Sequence, residues 1–270
     1  MIIMQIKRQK YSYELLQECS NYLNTHSLKE TAIHYNLSYK TMINGLIRFG
    51  FYTPTRKHKI TKNNCYNQNF FSKIDSHDKA YFLGFLMADG YICTTPYNKQ
   101  IGIGIQTKDK YILEYYKNLI GKKLNIKQYK NSSKLTITST IMYSDLTKLG
   151  FIENKSHNDY HFPDIPDEFK SSFICGYFDG DGCITIKSTG FSVCSICCNS
   201  KIFLEDLKSI LAKYNILCRP ICKEIKNRKN SIYVLYLSGR SNQLKFKDFI
   251  YKNVNVYLVR KYDKFMKIPC

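Results

Sequence analysis

Acids are scarce in this chain. Its 270 residues hold 21 Asp and Glu against 41 Lys and Arg, a formal net charge of +20 at pH 7. A surface so short of negative charge repels itself unless a polyanion covers it. Nucleic acid is the expected partner, because neutralising phosphates releases counterions and supplies much of the affinity. Long apolar runs are missing too. No stretch approaches the roughly 20 residues of a membrane span, so no membrane partner is expected. The opening MIIMQIKRQK is too short and polar for a secretory signal. The protein is expected not to be secreted, and to sit in the cytoplasm or wherever its nucleic-acid partner resides. Paired thiols are not expected either: 11 cysteines is an odd count in a chain without an export signal. Cys194, Cys197 and Cys198 give a C-x-x-C spacing, but SVCSICC reads as a strand and no histidine follows at a zinc-like interval. Buried thiols are the better reading.

What is present is enough to fold. Hydrophobic residues make up 44% and aromatics 14%, so a sizeable core can form. Residues 1–58 read as a small all-α module. YSYELLQECSNYL has helical spacing, Ser27 with Glu30 makes a capping box before a second helix, and Ser38 starts a third that Gly50 stops. Three short helices with a tight connection at Asn36–Leu37 form a helix-turn-helix candidate. Its third helix would offer Tyr39, Lys40, Asn44 and Arg48 to base edges; a plain packing module is the alternative. A polar, basic linker follows over 59–77, and Arg56, Lys57, Lys59 and Lys62 could track a phosphate backbone or simply be solvated.

An internal repeat then sets the fold. Asp89-Gly90 recurs as Asp181-Gly182, and each pair is followed by two strands, a helix, two more strands and a helix. The expected class is α+β: two pseudo-symmetric αββαββα repeats, over 78–158 and 170–270, joined by a connection at 159–169. In QIGIGIQ, Ile101, Ile103 and Ile105 share one face, with Gln100, Gly102, Gly104 and Gln106 on the other; KLTITST alternates likewise. One face should pack under helices, and the glycines of the other should admit something large.

Each acid closes an apolar helix. Gly84 and Ala88 lie four apart, as do Gly176 and Gly180, so small residues share one face and let two backbones approach closely. Packing those helices together would set Asp89 beside Asp181. Carboxylates at helix C-termini oppose the partial negative charge there, and two together repel or raise a pKa. A divalent cation removes that cost, and magnesium typically uses one or two carboxylates with water and phosphate.

FLGFLMADG (82–90) and ICGYFDGDG (174–182) resemble the two signature helices of the LAGLIDADG homing endonucleases, in the single-chain form with two halves. The resemblance covers residues 78 to about 265; the N-terminal module lies outside it. It implies a site-specific, metal-dependent endonuclease of double-stranded DNA, acting as a monomer. Asp89 and Asp181 would be the metal-binding catalytic acids, taken together with Gly90 and Gly182. Gly84, Ala88, Gly176 and Gly180 would form the helix interface, and Lys155 and Lys261 would polarise water or neutralise charge. Met87 replaces an acid that the second motif keeps as Asp179, at a position that is not a metal ligand in the family. The cofactor would be magnesium, with manganese as a substitute. A saddle of antiparallel sheets would cover the major groove, with Gln100, Gln106, Lys127, Lys134, Thr136, Thr138, Lys187, Lys223 and Lys226 as contacts, most of them to phosphates. Two alternatives use the same fold: a non-cleaving DNA-binding regulator, which retention of both acids argues against, and a maturase that binds intron RNA. The ending KIPC lacks the His-Asn pair of a protein-splicing segment, so an intein is not expected.

Overall fold

The computed structural model describes residues 11–52, 66–96, 98–224 and 232–268. Arg56, Lys57, Lys59, Lys62 and Lys226 lie outside them. The chain divides into two compact units, residues 1–62 and 63–270.

In the first unit, α1 (Tyr13–Tyr22), α2 (Leu28–His34) and α3 (Tyr39–Arg48) enclose a small core of Leu16, Cys19, Ala32, Met42 and Leu46. Ser27 and Glu30 cap α2 reciprocally: Ser27 N–H donates to Glu30 Oε2 at 2.7 Å and Glu30 N–H to Ser27 Oγ at 3.3 Å. Asn36 turns the chain between α2 and α3 with φ +50°, and Gly50 ends α3 at φ +74°. Both are left-handed positions that Asn and Gly tolerate.

The second unit repeats one plan. The first copy runs α4 (His77–Asp89), β1 (Gly90–Thr94), β2 (Lys99–Gln106), α5 (Tyr111–Ile120), β3 (Ile126–Gln128), β4 (Ser132–Thr138) and α6 (Thr140–Lys148). The second runs α7 (Asp167–Asp181), β5 (Gly182–Ile186), β6 (Ser192–Cys198), α8 (Lys201–Lys213), β7 (Cys222–Glu224), β8 (Ile232–Tyr236) and α9 (Gly239–Tyr251). Each copy folds its strands into a four-stranded antiparallel sheet, in the orders β1-β2-β4-β3 and β5-β6-β8-β7. The α+β reading and the repeat hold. Serines at helix starts recur: Ser76, Ser139 and Ser200 each accept a backbone N–H from the first turn of α4, α6 and α8. Every residue of α4 from Ala80 to Ala88 is buried. A helix apolar all round belongs inside a core rather than on a surface.

Four expectations need correcting. A further helix, α10 (Val259–Met266), follows α9 and has no counterpart in the first copy. The edge strands β3 and β7 are only three residues long; Pro220, with no N–H to donate, precedes β7, and short edges resist unwanted pairing. Helix α7 starts at Asp167, three residues before 170, where Pro166 leads in and Asp167 and Glu168 suit the positive end of the helix. Gly102 does not open the sheet face. A Cβ there would lie within 2.4 Å of Tyr91 ring atoms, so the large group it admits is this chain's own ring. Gly104, by contrast, has only Ser133 O near it, at 3.8 Å.

Candidate functional site

Helices α4 and α7 touch backbone to backbone. A Cβ on Gly84 would sit 2.0 Å from Phe173 O, and one on Gly176 would sit 1.9 Å from Tyr81 O. Only glycine fits at either place. One turn on, a Cβ on Gly180 would meet Ala88 Cβ at 2.4 Å and Asp89 Oδ2 at 3.3 Å. The carboxyl of Asp89 therefore lies directly against the residue that precedes Asp181. All four small residues meet at one interface, and both acids fall at its end, where α4 and α7 give way to β1 and β5.

A lysine caps each of these helix ends. Lys155, in a 3-10 turn at Lys155–His157, donates from Nζ to Met87 O at 2.6 Å and to Ala88 O. Lys261, on α10 and 6% exposed, donates to Phe178 O at 2.6 Å, Asp179 O at 2.7 Å and Gly182 O at 2.6 Å. The last carbonyls of a helix lack intrahelical partners, and a cation there also offsets their negative end. The two caps are equivalent, although a turn carries one and a helix the other. Asp179 accounts for that difference. Buried at 1% exposure, its Oδ2 accepts Tyr81 O–H and Leu258 N–H, both at 2.7 Å. It thereby ties α4 to the start of α10. Met87, its counterpart, is buried and has no such element to anchor.

Each acid opens into its own cavity. One, of about 400 Å3, is lined by Ala88, Lys155, Tyr177, Asp181, Cys197 and Asn199 among others. The other, of about 410 Å3, is lined by Gly180, Phe85, Asp89, Gly104, Gln106 and Arg260 among others. The sheet registers relate them: Gly90 faces Ile103 and Gly182 faces Ile196, so Gln106 and Asn199 are equivalent. Each cavity thus holds two acids (Asp181 and Glu224 in one, Asp89 and Asp109 in the other), one amide and one cationic side chain. Partial loss of water raises both helix-end acids, Asp181 being half-buried and Asp89 exposed at the cavity opening. Asp181 is pushed up to about 6, chiefly by loss of water, with Lys155 opposing and the Asp89 charge adding. Asp89 is raised for the same first reason, with Lys155, Lys261 and Arg260 pulling it back. Burial lowers both lysines, and the nearby carboxylates resist that.

Comparison with known proteins agrees with this architecture. Residues 168–251 match the family model of the LAGLIDADG-like domain. The second copy is similar to that domain. The match covers the second copy; the first shares its strand order and its acid-glycine helix end. Two relatives from Methanocaldococcus jannaschii are 28% identical: a probable translation initiation factor IF-2 over 206 residues and the DNA-directed RNA polymerase subunit Rpo1C over 175. The alignments take in 70% and 62% of this chain but 17% and 18% of those proteins, so the chain spans under a fifth of their length. Among solved structures, mesophilic variants of the homing endonuclease I-DmoI align at 16% identity and TM-score 0.47, over 66% of this chain and 97% of theirs. The meganuclease I-SmaMI bound to uncleaveable DNA aligns at 14% identity and TM-score 0.49, over 69% and 87%.

The other sequence-predicted residues divide into groups. Gly90 and Gly182 open β1 and β5 with extended backbones. In the first copy, Gln100, Gln106, Lys127, Lys134, Thr136 and Thr138 share the outer sheet face, since Gln100 pairs with Thr138 and Lys127 with Lys134. Lys134 also sits over the Tyr91 ring at 4.8 Å. In the second copy the expected set does not assemble. Lys187 lies in the turn after β5, and Lys223 pairs with Tyr233, which pairs with the buried Cys198. Lys223 therefore points to the core side of an edge strand, as alternation requires. In the N-terminal unit, Tyr39, Lys40, Asn44 and Arg48 are exposed along α3. The cysteines of SVCSICC fill β6: Cys194 and Cys198 are buried, and among the described residues no cluster of three metal-ligating side chains occurs. Asn199, Arg260 and its partner Asp109 were missed from sequence; the position of Asn199 opposite Gln106 becomes evident only from strand register.

Proposed function

We propose that this protein is a site-specific endonuclease that hydrolyses double-stranded DNA, with one acid per strand. The observation that carries the reading is the pair of helix ends forced together by backbone contact, each presenting a carboxyl to its own cavity, Asp181 half-buried and Asp89 exposed at the opening. Folding alone gives no reason to draw two acids together at negative helix termini. The donor set suits a magnesium-type ion, which keeps several waters and takes one or two carboxylates. Asp89 and Asp181 would hold it, beside the Gly90 and Gly182 backbones, and manganese could substitute. Bound there, the ion supplies an activated water and neutralises charge building on the phosphate.

The chain's own groups do the rest. Lys155 and Lys261 fix the helix ends that aim the carboxyls, and their charge offsets the two acids without direct ion pairing. Gln106 and Asn199 each reach into a cavity as neutral donors and acceptors, suited to orienting water. The outer face of β1–β4 brings Gln100, Lys127, Lys134, Thr136 and Thr138 to the duplex as a saddle, with Lys187 at the rim of the other sheet. Tyr39, Lys40, Asn44 and Arg48 of the three-helix unit would read or grip adjoining base pairs, adding affinity by linked binding. One chain supplies both halves, so it acts as a monomer.

Incubating the protein with a randomised duplex library and magnesium, then sequencing the cut ends, tests the proposal. A single long consensus is expected, and Asp89→Asn and Asp181→Asn should each lower cleavage by at least ~100-fold. Wild-type rates in both variants would sink the catalytic assignment. Binding of the consensus without cutting would favour a regulator, and selective retention of intron RNA a maturase.

A further inference from the structure

The two cavities match in plan and each is lined by two acids and one cation, but the cations differ in kind and in what holds them. Arg260, one residue before Lys261, lines only the cavity that holds Asp89. Its Nε donates to Asp109 Oδ2 at 3.0 Å, and Asp109 is itself 5% exposed and lines the same cavity. A guanidinium carries five N–H groups in a rigid fork. Among the described residues no other hydrogen bond engages it, so its terminal nitrogens stay available. Across the pseudo-symmetry axis, strand register puts Ile202 where Asp109 stands, and the residue before the capping lysine is Asn154. The cation of the second cavity is Lys155, whose ammonium is committed to Met87 O and Ala88 O. The second cavity holds Glu224 and Cys197 instead of a free guanidinium.

We propose that Arg260 is a catalytic residue of the Asp89 cavity alone, donating to the phosphate cleaved there, and that Asp109 positions it. The consequence is unequal cutting: the strand in the Asp89 cavity is cleaved first and nicked duplex is the intermediate. This rests on the nuclease reading. An arginine with its Nε pinned and two terminal nitrogens presented is the geometry that meets a phosphate bidentately. Lys155 offers no equivalent, because moving it would strip the end of α4.

The test uses the full chain and its library-selected duplex, with a different dye on each strand. Wild type should show one strand leading. Arg260→Ala should slow that strand by ~10- to 100-fold, within the range for losing one transition-state donor, and leave the other within about twofold. Because Arg260→Ala strands a buried carboxylate, the double variant Asp109→Asn/Arg260→Ala removes both charges and should lose the same strand. Asp109→Asn alone keeps an acceptor for Nε and should slow only that strand, by less. In EDTA, Arg260→Ala should reduce the salt dependence of duplex binding by about one phosphate contact. Equal slowing of both strands, no slowing of either, or an unchanged salt dependence would overturn the proposal. Should wild type cut neither strand, the nuclease reading itself falls; a wild type that cuts, with an inactive Asp89→Asn beside a strand-neutral Arg260→Ala, removes only this inference.

Discussion

Asp181 would have to be charged to hold the proposed cation, yet its surroundings push its pKa from 3.8 up to about 6 through loss of water. Above pH 6 the carboxylate is ionised in folded and unfolded chains alike, and the folded state bears the cost of burying it. As pH falls from about 6 towards 3.8, the folded chain takes up a proton first and the cost is relieved. The group therefore destabilises the protein most at neutral pH, by about 3 kcal/mol at the extreme. Asp181→Asn should raise the melting temperature in EDTA at pH 7.5 by roughly 5 °C, and the gain should vanish near pH 4. Asp179 is raised to about 6 by burial as well, but it is present in both proteins and cancels in the difference. Thermal unfolding of the pair across pH checks this; a loss of stability at pH 7.5 would mean that Asp181 is held by contacts worth more than its desolvation. Magnesium should stabilise wild type more than the variant, since only binding to the folded state shifts the transition. Lys261 shows the opposite sign. Lys261→Met would leave the carbonyls of Phe178, Asp179 and Gly182 buried without that donor, a loss of about 3 kcal/mol measurable by chemical denaturation.

At the scale of elements, the close fit of α4 and α7 is what brings the acids together, and glycine is its requirement. Gly84→Ala or Gly176→Ala would drive a methyl group into a backbone oxygen at 2.0 or 1.9 Å. Backbone cannot swing aside as a side chain can, so each change should cost 3 kcal/mol or more. Gly104→Ala, in open space on β2, should leave the melting temperature within about 2 °C, and a similar drop in all three would disprove the distinction. This interface was legible in sequence because its cause is local: four small residues at helical spacing in two copies. The sheet faces of the first copy were legible for the same reason, since alternation in QIGIGIQ and KLTITST is a property of neighbours along the chain. What escaped was set by distant partners. Helix α10 is half polar, with only Lys261 and Phe265 buried; Phe265 packs against Phe178 and Phe246, and Asp179, 79 residues away from Leu258, accepts that residue's N–H at the helix start. The Arg260–Asp109 pair spans 151 residues, and no periodicity announces it. Lys223 was assigned by composition, and only its pairing with Tyr233 shows that it faces away from its expected partners.

For the molecule as a whole, the net +20 charge makes binding to any duplex the default, and specificity has to be added on top of it. Phosphate contacts steepen the fall of affinity with salt for every sequence alike, while base contacts separate one sequence from another. The exposed row on α3 contains both chemistries: Lys40 and Arg48 are cations, whereas Asn44 between them can pair with a base edge. Lys40→Ala with Arg48→Ala should therefore weaken binding to target and random duplexes equally, and flatten the dependence of log affinity on log salt by about two contacts. Asn44→Ala should lower affinity for the selected target by about 1–3 kcal/mol and leave binding to random duplex unchanged. Titrations of both duplexes between 50 and 200 mM salt distinguish the two. If neither variant alters binding, the three-helix unit is a packing module, and residues 63–270 alone would set the length of any recognised site.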